Sequence, residues 1–114
     1  MKAEDSIQIA VADYLRLQYP NLLWFHVANE RQTSPRHGAK LKRMGVRAGV
    51  ADIMILKATK QAVGLCIELK AGKNKQTPSQ VEFRDAVIQE GWAYYVCYDF
   101  DSARKVIDKY LLIS

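Results

Sequence analysis

The sequence predicts an α/β fold, a mixed sheet flanked by helices in the order αβαββαβα, and three observations carry that prediction. Two short aliphatic runs, Ile53 to Leu56 and Val63 to Lys70, are separated only by the polar segment Lys57 to Ala62, which reads as a hairpin. A further run, Ala93 to Tyr98, follows a stretch with helical signals, as a strand reached by a crossover does. Segments with helical spacing stand at both ends of the chain.

The first helix spans Ala3 to Gln18 and stops before Pro20. Its stripe Ile7, Val11, Tyr14, Leu15 and Gln18 is expected to face the core, with Glu4 and Gln8 continuing the same row toward the N-terminus, so that Glu4 either complements the helix dipole or reaches the sheet face that carries Asp52 and Glu68. A strand from Leu22 to Val27 follows, then a loop and a short basic helix around His37 to Met44. Gly45 and Gly49 allow a tight path into the strand that starts at Asp52. Thr77, Pro78 and Gln80 form an N-cap, a first helical position and a capping box, so a helix runs from Pro78 to Glu90 and stops at Gly91. The last helix is placed at Ser102 to Leu112 with Asp101 as its N-cap. The tyrosines of the Ala93 to Tyr98 strand are assigned to the core of a central strand.

With 114 residues the chain is long enough for one core and no second, so residues 1–114 are one domain. No run approaches the ~20 apolar residues of a membrane helix, and the N-terminus lacks the apolar core of a signal peptide, which predicts no membrane association and a cytoplasmic protein. Cys66 and Cys97 lie in predicted strands without C-x-x-C spacing and are expected to be reduced core residues. The formal net charge is +5. Its distribution says more, because no acidic residue occurs between Glu30 and Asp52 while Arg31, Arg36, Lys40, Lys42, Arg43 and Arg47 do. Together with Lys73 and Lys75 these form a candidate phosphate-contacting surface, which favours a polyanionic partner.

The chemistry concentrates in the hairpin. On a strand, Cys66, Glu68 and Lys70 point one way and Leu65, Ile67 and Leu69 the other. A turn centred on Lys60 pairs Asp52 with Glu68, whose Cβ atoms then lie roughly 5 Å apart on one face. Facing carboxylates repel, and a divalent cation such as Mg²⁺, which takes carboxylate oxygens and keeps waters and substrate phosphates, offsets that repulsion. Lys70 adds a positive charge able to orient a water or stabilise charge on a phosphate. Metal-dependent phosphodiester hydrolysis is the expected reaction.

Taken in order, the acid-bearing helix, G-V-R-A-G-V-A-D, C-I-E-L-K-A-G-K-N-K and T-P-S-Q-x-E resemble the VRR-NUC domain, a branch of the PD-(D/E)XK nuclease superfamily, over nearly the whole chain. The resemblance implies a restriction-endonuclease-like core with one active site. It implies that Asp52 and Glu68 bind Mg²⁺ or Mn²⁺, that Lys70 positions or activates the attacking water, and that Glu4 and Gln80 support metal, water or phosphate. The chain departs from the family's frequent pattern at Ala51, where proline is common, and at Val46-Arg47-Ala48, where the arginine pair is reduced to Arg47. Small stand-alone domains of this kind resemble resolvases that act as homodimers on branched DNA such as four-way (Holliday) junctions; the aromatic C-terminal half (Trp92, Tyr94, Tyr95, Tyr98, Phe100, Tyr110) is the expected interface. The alternative is a DNA-binding module of the same fold with little or no catalysis.

Overall fold

The computed structural model describes residues 2–28 and 34–112. In chain order the elements are α1 (Ala3–Gln18), β1 (Trp24–His26), α2 (Pro35–Arg43), β2 (Ile53–Ile55), β3 (Leu65–Leu69), α3 (Pro78–Gln89), β4 (Ala93–Cys97) and α4 (Phe100–Leu112). This is the expected α/β order with somewhat shorter strands. One sheet of order β1-β2-β3-β4 is antiparallel except for the last pair, β3 and β4, which run parallel because α3 carries the chain back across the sheet. None of the helices among the described residues is long and apolar enough to cross a membrane.

Strand alternation divides the apolar residues between two layers. Ile53, Ile55, Leu65, Ile67 and Leu69 project toward α1 and α4, where Val11, Leu15, Ala103, Ile107 and Tyr110 complete a buried core. Cys66 faces the other way with Met54 and Tyr94 and meets Phe83 and Val87 of α3 in a smaller cluster. Tyr110 closes the larger core at its rim, its hydroxyl lying 2.6 Å from the carbonyl oxygen of Lys57 and 3.1 Å from that of Ala62. The tip of the β2–β3 connection is thereby tied to the last helix.

Several local expectations need correction. Gln18 is exposed, because α1 turns its narrow apolar stripe inward only through Leu15. α4 begins at Phe100, and its cap is Asp99, whose Oδ1 accepts the Ser102 N–H at 2.7 Å. Asp101 instead pairs with Arg104 and Lys105. β4 is an edge strand rather than a central one, so Tyr95 stays 39% exposed, and Tyr98, just past the end of the strand, is 45% exposed. Of the aromatic residues expected at a dimer interface, Tyr110 is core, Trp92, Tyr94 and Phe100 are half-buried against the two cores, and only Tyr95 and Tyr98 are exposed.

Both cysteines are reduced and buried, as expected, and burial pushes their thiols up to about 12 for Cys66 and about 11 for Cys97. Neither is a nucleophile at neutral pH.

Candidate active site

The β2–β3 register pairs Ile53 with Ile67 and Met54 with Cys66, and its continuation sets Asp52 opposite Glu68. Both carboxylates project to the α3 side of the sheet. Asp52 is anchored by the Leu69 N–H, which donates to its Oδ2 at 2.7 Å. Glu68, only 2% exposed, uses both oxygens: Oε1 accepts from the Tyr94 hydroxyl at 3.1 Å, and Oε2 accepts from Gln80 Nε2 at 2.9 Å. Lys70, 7% exposed, holds its ammonium 4.0 Å from Glu68 Oε2.

Burial first, and then the facing charge of Asp52, push the Glu68 carboxyl up to about 7 against the lowering effects of Tyr94 and Lys70. Burial likewise raises Asp52, outweighing the Leu69 N–H and the nearby His26; the charge of Glu4 adds to the rise. Two carboxylates that resist ionising side by side form the electrostatic arrangement that a divalent cation relieves.

Gln80 serves two purposes at once. Its Oε1 accepts the Thr77 N–H at 2.8 Å while Thr77 Oγ1 accepts the Gln80 N–H at 3.3 Å, completing the expected capping box. Its amide nitrogen remains for Glu68. Capping fixes the orientation that the site uses.

Glu4 enters from an unexpected direction. α1 packs on the face of the sheet opposite Asp52 and Glu68, so Glu4 does not cross to them over the sheet. It stands at the N-terminus of α1 and lines, with Asp52, Glu68, Lys70 and Gln80, a cleft of about 520 Å³. Among the described residues no three His, Cys, Asp or Glu side chains close on one point. The donor set is thus a facing pair, and a Mg²⁺ site of one or two carboxylates with waters and phosphates fits it.

Two residues of the site escaped sequence reasoning. Tyr94, assigned to the core, is a hydrogen-bond donor to Glu68. His26 places Nδ1 2.7 Å from the carbonyl oxygen of Asp52, and its charge lowers the carboxyl of Asp52. Both depend on strand pairings between distant segments, for which the sequence carries no local signal.

The basic residues divide between two surfaces: Lys42 and Arg47 line a groove that adjoins the cleft, whereas Arg36, Lys40 and Arg43 line a separate pocket along α2. α2 is capped by Ser34, whose Oγ accepts the His37 N–H at 3.1 Å; it buries no residue and leaves Arg36, Lys40, Lys42 and Arg43 exposed. Arg47 lies 3.5 Å from Glu82, so part of its charge is already matched. One groove runs past His37, Lys42, Arg47 and Ser79 and shares Ala48 and Ser79 with the cleft. Lys75 lines the cleft itself and Lys73 lies exposed in the same loop. Arg31 lies outside the described residues.

Gly49 makes the junction of groove and cleft possible. Its φ is +80°, and a Cβ there would collide with the Ser79 carbonyl and lie 2.7 Å from the Gln80 nitrogen. Only glycine allows the chain leaving α2 to rest on the start of α3.

Comparison with known proteins bears on the fold and the family. Among curated proteins none matches the chain. A solved structure described as a VRR_NUC domain protein is similar at 30% identity and a TM-score of 0.79, covering 100% of this chain and 92% of its own. A second, described as a VRR_NUC domain, shares the fold at 16% identity and a TM-score of 0.62, covering 96% and 99%. The family model of the VRR-NUC domain matches residues 2–100, and the chain therefore belongs to the VRR-NUC domain family, a nuclease-type domain.

Proposed function

We propose that the chain is a Mg²⁺- or Mn²⁺-dependent, structure-selective endonuclease that hydrolyses phosphodiester bonds in branched DNA, such as four-way junctions, and acts as a homodimer. The observation that carries this reading is the facing pair of half-buried Asp52 and buried Glu68, with the Lys70 ammonium beside it at the end of a basic groove.

Asp52 and Glu68 would hold the cation, with Glu4 supplying charge from the cleft wall. When bound there, a divalent cation supplies Lewis-acid polarisation of the phosphate and neutralises the carboxylate pair. The protein's own residues do the rest. Gln80 and Tyr94 keep Glu68 turned into the cleft. Lys70 is buried and close enough to orient a water or stabilise charge developing on the phosphate. The exposed cations of α2, with Lys73 and Lys75, hold the flanking backbone without reading bases. Hydrolysis joins the water oxygen to phosphorus and breaks one ester bond, so one site cuts one strand. Two symmetric incisions across a junction need two sites, which a two-fold dimer supplies.

The test is cleavage of matched junction, flap and linear DNA with and without Mg²⁺ or Mn²⁺, alongside light scattering. Cation-dependent cleavage that is fastest on the junction, from a dimer, is expected. Lys70→Ala should lose at least about 100-fold in rate while still binding DNA. Equal activity in Lys70→Ala would remove the catalytic assignment. Binding without any cleavage by the wild-type chain would leave a DNA-binding module, and linear duplex cut as fast as the junction would leave a general nuclease.

A further inference from the structure

A chain of hydrogen bonds leaves Glu68 and runs away from the cleft. The Tyr94 hydroxyl donates to Glu68 Oε1 at 3.1 Å. Gln76 Nε2 donates to the Tyr94 oxygen at 3.0 Å, and Arg84 Nη1 donates to Gln76 Oε1 at 3.0 Å. The direction of every bond follows from its two ends. A guanidinium has donors only, so Gln76 must present its carbonyl oxygen to Arg84 and its amino group to Tyr94. That amino group can only donate, so the tyrosine oxygen accepts and its single proton goes to Glu68.

We propose that Tyr94 is a positioning residue that fixes Oε1 of Glu68, with Gln76 and Arg84 setting the direction in which it donates. Gln80 fixes Oε2, so the carboxylate is held at both oxygens in one orientation toward Asp52. The arrangement rests on the cation-dependent reaction proposed above.

Two features favour positioning over contact with substrate. Tyr94, Gln76 and Arg84 are absent from the cleft lining, so they reach the reaction only through Glu68. The two groups that hydrogen-bond to Glu68 are also neutral, and the Lys70 ammonium stands off at 4.0 Å. An arginine placed directly on the carboxylate would cancel the charge a cation needs, whereas a tyrosine restrains it and leaves that charge in place. Arg84 keeps its positive charge two residues back along the hydrogen-bonded chain, where Nε also pairs with Asp85 at 3.0 Å. Register explains how an edge-strand residue arrives there. Tyr94 pairs with Cys66 and Val96 with Glu68 in the parallel ladder, so Tyr94 shares the face of Glu68 one diagonal step away.

Tyr94→Phe removes the proton and keeps the ring. Calorimetry with Mn²⁺ should show affinity lower by about 10- to 100-fold, as for other partners that orient a metal ligand. The Mn²⁺ concentration for half-maximal cleavage should rise by the same factor, while KM for DNA and cation-free DNA affinity stay at wild-type values. Arg84→Met, which frees the Gln76 amide to turn, should show a smaller loss in the same direction. Mn²⁺ affinity within twofold of wild type in Tyr94→Phe overturns the proposal. A second measurement needs no cation: a double-mutant cycle of Tyr94→Phe with Glu68→Gln, read from urea midpoints in EDTA, should be non-additive. Additivity overturns the proposal as well. A wild-type chain that binds no Mn²⁺ but shows the non-additive cycle would sink the cation reading and leave the Tyr94 clamp on Glu68 standing.

Discussion

Glu68 shows how a single carboxylate can oppose the fold that holds it. Its carboxyl is raised from an ordinary 4.5 to about 7, first by burial and then by Asp52. Between those values the folded chain binds more protons than the unfolded chain, so stability falls as pH rises through that window. Asp52 is raised too and acts in the same direction. Urea unfolding in EDTA should therefore show the wild-type chain losing stability from about pH 4.5 to about 7.5, by a few kcal/mol at most. Glu68→Gln should flatten most of that slope, and Mn²⁺ should reduce it in the wild type. A slope unchanged by Glu68→Gln would place the pH dependence elsewhere. At this scale the sequence was partly legible. Side-chain alternation and a turn centred on Lys60 were enough to bring Asp52 to Glu68, because both requirements are local. Tyr94 was not legible, because its role depends on a parallel pairing made through an intervening helix, and a tyrosine among Val96 and Cys97 reads as core.

Among the elements, the segment between α2 and β2 has the narrowest tolerance. Gly49 sits at φ +80° with the Ser79 carbonyl and the Gln80 nitrogen where a side chain would go. Gly49→Ala must either strain its own backbone or push the start of α3 away, and the second carries Gln80 off Glu68. The expected cost is about 1–3 kcal/mol, read as a lower melting temperature, together with weaker Mn²⁺ binding. A variant that melts like the wild type and binds Mn²⁺ equally would mean that α3 is not held by this contact. Helix ends were read well wherever capping chemistry is unambiguous, as at Thr77, Pro78 and Gln80. Asp99 and Asp101 are two candidate caps for one helix, and only the backbone path decides that Asp99 reaches the third N–H. Glu4 lines the cleft from the end of α1 and not over the sheet, because the periodicity of a helix does not say which face of a sheet will receive it.

For the molecule as a whole, the acidic pair lies at the end of a basic groove, and the balance between the two sets the salt dependence of DNA binding. Every side chain that neutralises a backbone phosphate adds about 0.9 to the slope of log affinity against log salt. Changing Lys40, Lys42 and Arg43 together to Ala should make that slope shallower by about two to three units, equally for all sequences tested. An unchanged slope would leave α2 a solvated helix face. Arg47 is expected to matter less than its position suggests, because Glu82 already faces it.

The fourth helix sets a limit of a different kind, on where this unit can be cut. The family match stops at residue 100, yet Ala103, Ile107 and Tyr110 lie beyond it and are buried in the main core. Trimming the gene to the matched span would strip the cover from Ile53, Ile55 and Leu65 and release the carbonyls that Tyr110 holds at the hairpin tip. The active-site residues would all survive such a truncation, but the sheet that aligns them would present a bare apolar face to water and aggregate. The span matched by the family model and the span that the main core needs are different in this chain, and the last helix is the difference.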